Sequence, residues 1–135
     1  MRKATIRVAI VDDEPAVRTA LARLLEASSF EAKIYGSARE FIDSMDCDIP
    51  DCLVVDAHMP GLSGLDLQRY LNRIKKKIPT VVITAFDDAG TRKRSIASGA
   101  DAFLTKPLHG PVLVNAITDA IRGSRGDPAN AVNGC

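Results

Sequence analysis

Five short apolar segments alternate with stretches of helical periodicity, and this alternation limits the fold more than any other feature of the chain. The segments are IRVAIV (6–11), FEAKIY (30–35), CLVV (52–55), TVVI (80–83) and DAFL (101–104). Apolar runs of this length between turn-forming residues are typical of buried β-strands. The order strand, helix, strand predicts an α/β protein with a parallel sheet, right-handed crossovers and helices on both faces.

Three of the intervening segments have a clear helical pattern. Apolar residues recur on one helix face in three sets: Val17, Ala20, Leu21, Leu24 and Leu25; Leu67, Tyr70, Leu71 and Ile74; and Leu113, Ala116, Ile117, Ala120 and Ile121. Recurrence at i, i+3, i+4 and i+7 is typical of an amphipathic helix. A short helix is expected near 38–46, and a further helix near 88–98. The latter offers only Ile96 and a few alanines to a core, so we expect it to pack loosely.

Length and composition favour one domain. The chain has 135 residues, of which 46% are hydrophobic, which is enough for one sizeable core but not for two ordinary ones. We expect this domain over residues 1–122. Residues 123–135 mix Gly, Pro, Ser and Asn without periodicity, and they predict a flexible tail or the start of a linker.

Charge and hydropathy exclude several classes of protein. Lys and Arg number 18 against 17 Asp and Glu, so no broad basic surface is expected for direct binding to nucleic acid or an anionic membrane. Arg7 and Asp12 interrupt the N-terminal apolar run, which excludes a signal peptide, and no run approaches the roughly 18 residues of a membrane span. Cys47, Cys52 and Cys135 lack metal-ligand spacing and are expected to be reduced. We therefore expect a cytoplasmic protein.

Polar residues follow four of the five predicted strands. Asp12, Asp13 and Glu14 come after the first strand, Asp56 after the third, Thr84 after the fourth and Lys106 after the fifth. In an open parallel sheet these carboxyl ends lie along one edge, where ligands bind in such folds. The sequence therefore predicts that acids, a hydroxyl and an ammonium group converge at one site.

Each of these residues also has an ordinary structural interpretation. Asp13 can cap the following helix, Asp12 and Lys106 can be solvated, and Thr84 can be one more β-branched strand residue. Asp56 can cap the turn that follows it. The functional interpretation is favoured because all five lie at carboxyl ends of the predicted strands.

The electrostatics of such a site indicate a cation. Two carboxylates about 4 Å apart repel by about 4 kcal/mol at an effective dielectric near 20, so three of them need positive charge. Lys106 supplies one charge, and Mg²⁺ fits the rest, since it binds one or two carboxylates and leaves positions for phosphate oxygens. This combination is typical of phosphoryl transfer, in which Asp56 can itself become an aspartyl phosphate.

Four segments together resemble the motifs of one family. They are VAIVDDEP (8–15), VVDAHMPGLSG (54–64), VVITA (81–85) and GADAFLTKP (99–107). Over residues 5–122 the chain resembles the receiver domains of two-component response regulators, and most of all those joined to a DNA-binding helix-turn-helix domain. The resemblance implies a flavodoxin-like, doubly wound sheet of five parallel strands in the order 2-1-3-4-5.

The resemblance also implies roles for the acidic residues. Asp56 would be the phosphoacceptor, phosphorylated by a histidine kinase or a phosphotransfer protein. Asp13, Asp56 and the backbone carbonyl of His58 would bind Mg²⁺, with Asp12 reaching it directly or through water. The domain would then not be a separate enzyme but would catalyse its own phosphorylation and dephosphorylation.

Further implied roles belong to the fourth and fifth strands. Lys106 would pair with the phosphoryl group, Thr84 would donate a hydrogen bond to it, and the Lys106–Pro107 bond would be cis. Phe103 would turn inward behind Thr84, although it is also interpretable as a simple core residue. The switch would remodel the face formed by helix 4, strand 5 and helix 5 (88–122), which would contact an output domain, a partner protein or a second copy in a homodimer.

Alternatives from other classes remain open. A hydrolase with an aspartate nucleophile would usually place a second acid two residues later, where this chain has His58. A nucleotide-binding fold is weaker still, since no Gly-rich loop follows the first strand. The main rival is a receiver that is not phosphorylated and serves as an interaction or dimerisation module. Transcription regulation is the expected output, through a domain in the same chain or a separate partner.

Overall fold

The protein forms a five-stranded parallel sheet with helices on both faces. The structure is a computed structural model that describes residues 5–45, 48–86 and 88–125. Its elements are β1 (Arg7–Val11), α1 (Pro15–Ala27), β2 (Glu31–Tyr35), α2 (Ala38–Asp43), β3 (Cys52–Asp56), α3 (Gly64–Arg73), β4 (Thr80–Thr84), α4 (Ala89–Ala97), β5 (Ala102–Thr105) and α5 (Gly110–Arg125). The strand order β2-β1-β3-β4-β5 confirms the doubly wound α/β fold that the sequence predicts.

The sheet separates two apolar layers. Alternate residues of β1 point to opposite faces, so Val8 and Ile10 join one cluster while Ala9 and Val11 join the other. Leucines of α1 and apolar residues of α5 complete the first cluster, and α2 and α3 complete the second. Every residue of β3 and β4 is buried, as expected for central strands covered on both faces.

The sheet-facing side of α4 is polar, which differs from the sequence prediction. Thr91 and Ser95, four residues apart and therefore on one face, are fully buried. Ile96 lies one position further around the helix and its surface is 50% exposed, so the prediction that it anchors α4 in the core is wrong. The Ser95 hydroxyl is buried, and within the described residues it has no hydrogen-bond partner.

The ends of two helices differ from the sequence estimate. α2 ends at Asp43 rather than 46, with Ser44 as its C-cap. α5 continues to Arg125, three residues past the boundary placed at 122. Residues 126–135 of the predicted tail, together with Cys47, lie outside the described residues. Among the helices that are described, none has the length and apolar character needed to cross a bilayer.

Candidate phosphoryl-transfer site

Strand register brings the predicted site residues to one edge of the sheet. Val11 of β1 pairs with Val55 of β3, so the next residues along both strands, Asp12 and Asp56, are neighbours at the carboxyl edge. Thr84 is the last residue of β4, and Lys106 directly follows β5. The convergence expected from the sequence is therefore present.

Asp12 is completely buried, and all its polar groups are hydrogen-bonded. Its amide donates to the Tyr35 carbonyl at 3.2 Å, and its carboxylate accepts from the Glu14 amide at 2.9 Å and from Lys106 Nζ at 2.9 Å. Its carbonyl accepts from Arg18 Nη1 at 2.8 Å. The interpretation of Asp12 as a solvated residue is therefore wrong.

Asp56 is buried at the tip of β3, where its surface is 5% exposed. Its Oδ1 accepts from the His58 amide at 2.8 Å, and its Oδ2 accepts from Lys106 Nζ at 2.8 Å. Burial raises the pKa of Asp56 above its ordinary value, although the hydrogen bonds from Lys106 and His58 act in the opposite direction. Asp56 thus caps the following turn and also contributes to the ionic cluster, so both interpretations of this residue apply.

Lys106 joins the carboxylates through its ammonium group. Nζ lies 2.9 Å from Asp12 Oδ2, 2.8 Å from Asp56 Oδ2 and 3.6 Å from Glu14 Oε1. Burial lowers the pKa of Lys106, but its hydrogen bonds to Asp56 and Asp12 outweigh burial and raise the pKa above 10.5. The interpretation of Lys106 as a solvated side chain is wrong. The cis Lys106–Pro107 bond that the resemblance implies is also present.

Three acidic residues form a group that can hold a metal ion. The carboxylate oxygens of Asp12, Asp13 and Asp56 all lie within 4.8 Å of one another, with Asp13 exposed and the other two buried. Asp13 is not the helix N-cap, since Glu14 occupies that position at the start of α1. The ammonium of Lys106 contacts two of these three carboxylates, those of Asp12 and Asp56, and the remaining negative charge together with the all-oxygen donor set fits a hard divalent cation.

Thr84 and Phe103 lie on the two strands next to the acidic group. Thr84 is fully buried, and its Oγ1 accepts from the Phe86 amide at 3.2 Å. Phe103 is buried in the core, and the guanidinium carbon of Arg92 lies 4.7 Å from the centre of its ring. The inward position of Phe103 agrees with both interpretations of this residue.

Three residues that shape the site were missed in the sequence. A Cβ at Gly64 would lie 2.5 Å from the Asp56 carbonyl oxygen, so only glycine fits where α3 starts against β3. Arg18 bonds to Asp12, and Arg92 covers Phe103. A signal exists for Arg18, which follows the helical spacing of the buried leucines of α1, but no local signal marks the contact of Arg92.

The sequence also matches known proteins. Residues 8–118 match the model of the response regulator receiver domain. Nodulation protein W of Bradyrhizobium diazoefficiens is 37% identical over 118 residues, which are 87% of this chain and 52% of that protein. The response regulator protein TodT of Pseudomonas putida is 33% identical over 90% of this chain and 54% of its own length. The transcriptional regulatory protein TdiR of Thauera aromatica is 34% identical over 87% of this chain and 52% of its length.

Solved structures of response regulators also resemble this chain. FixJ-N has a TM-score of 0.83 and 35% identity, with 89% of this chain and 96% of that chain covered. The response regulator StyR has a TM-score of 0.80 and 37% identity, with 88% of this chain and 60% of that chain covered. The chain spans about half the length of the curated relatives it matches. With the motifs, the fold and the acidic edge of the sheet in agreement, the chain belongs to the response regulator receiver domain family.

Proposed function

We propose that this receiver domain accepts a phosphoryl group on Asp56, from a histidine kinase or a phosphotransfer protein, in a reaction that requires Mg²⁺. The observation that supports the proposal best is the surroundings of the Asp56 carboxylate, with Lys106 Nζ 2.8 Å from Oδ2 and two further carboxylates close enough to share a cation. A buried carboxylate at the end of an apolar strand is costly unless it is paired or used.

In this reaction a carboxylate oxygen of Asp56 forms a bond to phosphorus, while the bond from phosphorus to the donor nitrogen breaks and its electron pair leaves with the imidazole. Lys106, already beside Asp56, neutralises charge on the phosphoryl oxygens. Thr84 would donate its hydroxyl hydrogen to one of these oxygens, since its Oγ1 accepts from the Phe86 amide and no hydrogen bond donated by the hydroxyl is found within the described residues.

The proposed cation site consists of Asp12, Asp13, Asp56 and the backbone carbonyl of His58. When bound, Mg²⁺ would supply positive charge that offsets the negative charge on the phosphoryl oxygens. The same residues, with water attacking phosphorus, would break the bond from phosphorus to the Asp56 oxygen, release inorganic phosphate and restore the Asp56 carboxylate. The domain thus acts as a phosphoacceptor that catalyses its own phosphorylation and dephosphorylation, not as an enzyme with a separate substrate.

The phosphoryl group adds about 1.5 to 2 negative charges, which can shift a two-state element nearby. We propose that the face formed by α4, β5 and α5 (88–122) is the element that shifts, and that Thr84 and Phe103 transmit the change to it. This face would control an output domain, a partner protein or a homodimer. Relatives whose names describe transcriptional regulators favour a transcriptional output. A cytoplasmic location follows from this proposal, since the phosphoryl group comes ultimately from ATP.

The decisive experiment is intact mass spectrometry after incubation with acetyl phosphate and Mg²⁺. The wild-type chain is expected to gain one phosphoryl group, and the gain should vanish without Mg²⁺ and in Asp56→Asn. Asp119→Asn, at an exposed acid of α5, is the matched control and should label like the wild type. A folded wild type that gains no phosphoryl group from acetyl phosphate or from a kinase donor would support the unphosphorylated interaction module instead.

A further inference from the structure

Arg18 on α1 bonds to the backbone at the acidic group. Its Nη1 donates to the Asp12 carbonyl at 2.8 Å, and the side chain is partly buried. Hydrogen bonds from a guanidinium are charge-assisted and directional. The carbonyl of Asp12 belongs to the peptide group that links Asp12 to Asp13, so this bond fixes the orientation of the backbone from which the Asp13 side chain projects.

The end of β2 and the loop that follows it also contact Asp12 and Arg18. The amide of Asp12 donates to the Tyr35 carbonyl at 3.2 Å. The guanidinium of Arg18 lies over Gly36, where an added Cβ would be 3.2 Å from Nη1, and the Gly36 amide donates to Glu40 Oε1 at 3.1 Å. Arg18 therefore joins the loop after β1 to the loop after β2, and the absence of a side chain at Gly36 leaves room for it.

Asp13 depends on this backbone support more than its neighbours do. Asp12 and Asp56 have carboxylates held by Lys106 and by backbone amides. The Asp13 side chain is exposed, and none of the groups in the described part of the chain hydrogen-bonds to its carboxylate. Its distance to the other two carboxylates is therefore set by its backbone, whose orientation the bond from Arg18 stabilises.

We propose that Arg18 is a positioning residue for the cation site, since it holds the Asp12–Asp13 peptide so that the Asp13 carboxylate remains within reach of a divalent cation. The inference rests on the proposed Mg²⁺ site and adds a residue to it. It also predicts whether the loss of Arg18 strengthens or weakens Mg²⁺ binding. Simple electrostatics says that removing a nearby positive charge strengthens cation binding, whereas loss of positioning weakens it.

Calorimetric titration of the unphosphorylated protein with MgCl₂ tests the inference without any phosphodonor. Arg18→Met is expected to weaken Mg²⁺ binding about tenfold, in line with residues that orient metal ligands. Arg18→Lys retains the charge but not the planar fork, and it should lie between Arg18→Met and the wild type. Arg23→Met removes an exposed arginine from the same helix and is expected to bind Mg²⁺ like the wild type.

Two further measurements separate positioning from a general loss of structure. In an Asp13→Asn background, Arg18→Met should weaken Mg²⁺ binding no further, because the positioned ligand is already gone. Labelling of Arg18→Met by acetyl phosphate should be slow at low Mg²⁺ and reach the wild-type rate at saturating Mg²⁺. Far-UV circular dichroism and thermal unfolding confirm that each variant is folded, and Arg18→Lys replaces Arg18→Met if the latter is not.

Unchanged or tighter Mg²⁺ binding in folded Arg18→Met would overturn the inference, as would equal weakening with and without the Asp13 carboxylate. In those cases the wild type still binds Mg²⁺, and the proposed function stands. A wild type that binds no Mg²⁺ would overturn the inference and the metal dependence of the proposed function together. A wild type that binds Mg²⁺ but is not labelled by any donor would contradict the proposed function alone.

Discussion

Lys106 and Asp56 are fifty positions apart in the chain, yet Nζ of the lysine lies 2.8 Å from Oδ2 of the aspartate. The same ammonium group is 2.9 Å from the fully buried Asp12 carboxylate. One cation therefore offsets two buried anions, while the third carboxylate, that of Asp13, faces solvent. The ammonium offsets part of the charge of the two buried carboxylates and leaves negative charge for a metal ion.

The first prediction concerns the pH dependence of a Lys106→Met variant. Without the ammonium, the pKa of Asp56, already raised by burial, should rise further, so the folded state binds its proton more tightly than the unfolded state does. Stability conferred by such a proton is present at low pH and lost as pH rises through the folded-state pKa. We expect Lys106→Met to lose about 3 kcal/mol of unfolding free energy at pH 8 and clearly less at pH 4.

Urea denaturation at both pH values, in Mg²⁺-free buffer, measures this difference. Lys93→Met, an exposed lysine of α4, is the control and should change the unfolding free energy by less than about 0.5 kcal/mol at either pH. An equal loss at pH 8 and pH 4 in Lys106→Met would show that lost packing rather than charge explains its effect. For the wild type, the contribution of Lys106 is complete below its ordinary pKa of 10.5 and disappears only as pH rises above it.

The second prediction concerns Gly64, which lies against the end of β3 at Asp56. Gly64→Ala places a methyl group 2.5 Å from the Asp56 carbonyl oxygen, a backbone atom that cannot rotate away. We expect a loss of about 1–3 kcal/mol, as for an overpacked core, and slower labelling of Asp56 because the strand end must shift. Unfolding curves and the acetyl phosphate labelling rate measure the two effects.

Gly123→Ala is the matched control for this substitution. A Cβ at Gly123 meets nothing within 4 Å, and the residue is an exposed position of α5. The same change should therefore stabilise the protein by about 0.5–1 kcal/mol through helix propensity and leave labelling unchanged. If Gly64→Ala were as stable as the wild type and labelled at the same rate, the close approach of α3 to β3 would have no functional importance.

The third prediction concerns the buried polar face of α4. Thr91 and Ser95 are buried on α4, whereas α1, α3 and α5 bury leucine, and the buried Ser95 hydroxyl has no partner within the described residues. A buried unsatisfied hydroxyl costs about 1–3 kcal/mol, so amide hydrogen exchange should be faster in α4 than in α3. Phosphorylation should change the exchange of 88–97 most, because a helix held by few apolar contacts has a small energy gap between its states.

Ser95→Ala removes the unsatisfied group and keeps the helix. It should raise the unfolding free energy by about 1 kcal/mol, slow exchange in α4 and reduce the response of α4 to phosphorylation. Ser28→Ala, at an exposed position just after α1, is the control. Exchange rates in 88–97 that remain the same with and without phosphoryl on Asp56 would contradict the switch assigned to this face.

The fold was predictable because its determinants are local and repeated. The strands were located within one residue at each end, since turn residues bound them and the central strands β3 and β4, buried on both faces, are rich in apolar residues. The weakest prediction was α4, where Ile96 was expected in the core but Thr91 and Ser95 are buried. Apolar periodicity cannot place a helix whose buried face is polar.

The candidate site was predictable as a set of residues but not as a network. Residues that end parallel strands share one edge of the sheet, so Asp12, Asp56 and Lys106 could be grouped from sequence alone. The burial and pairing of these residues could not be predicted from the sequence. The bond from Arg18 to the Asp12 carbonyl has no sequence signature of its own.

The sequence by itself determined three features: the strand order, through the family motifs, the acidic edge of the sheet, and Asp56 as the carboxylate at the centre of that edge. Only the tertiary structure decided which residues hold that edge in place: Lys106 between two buried acids, Gly64 against the Asp56 carbonyl, Arg18 on the Asp12 peptide and Arg92 over Phe103. The physical reason is the difference in sequence separation between the interacting residues. Periodicity and turn preference act over a few residues and are visible in the chain, whereas desolvation and ionic pairing depend on atoms that come together only when the sheet is complete.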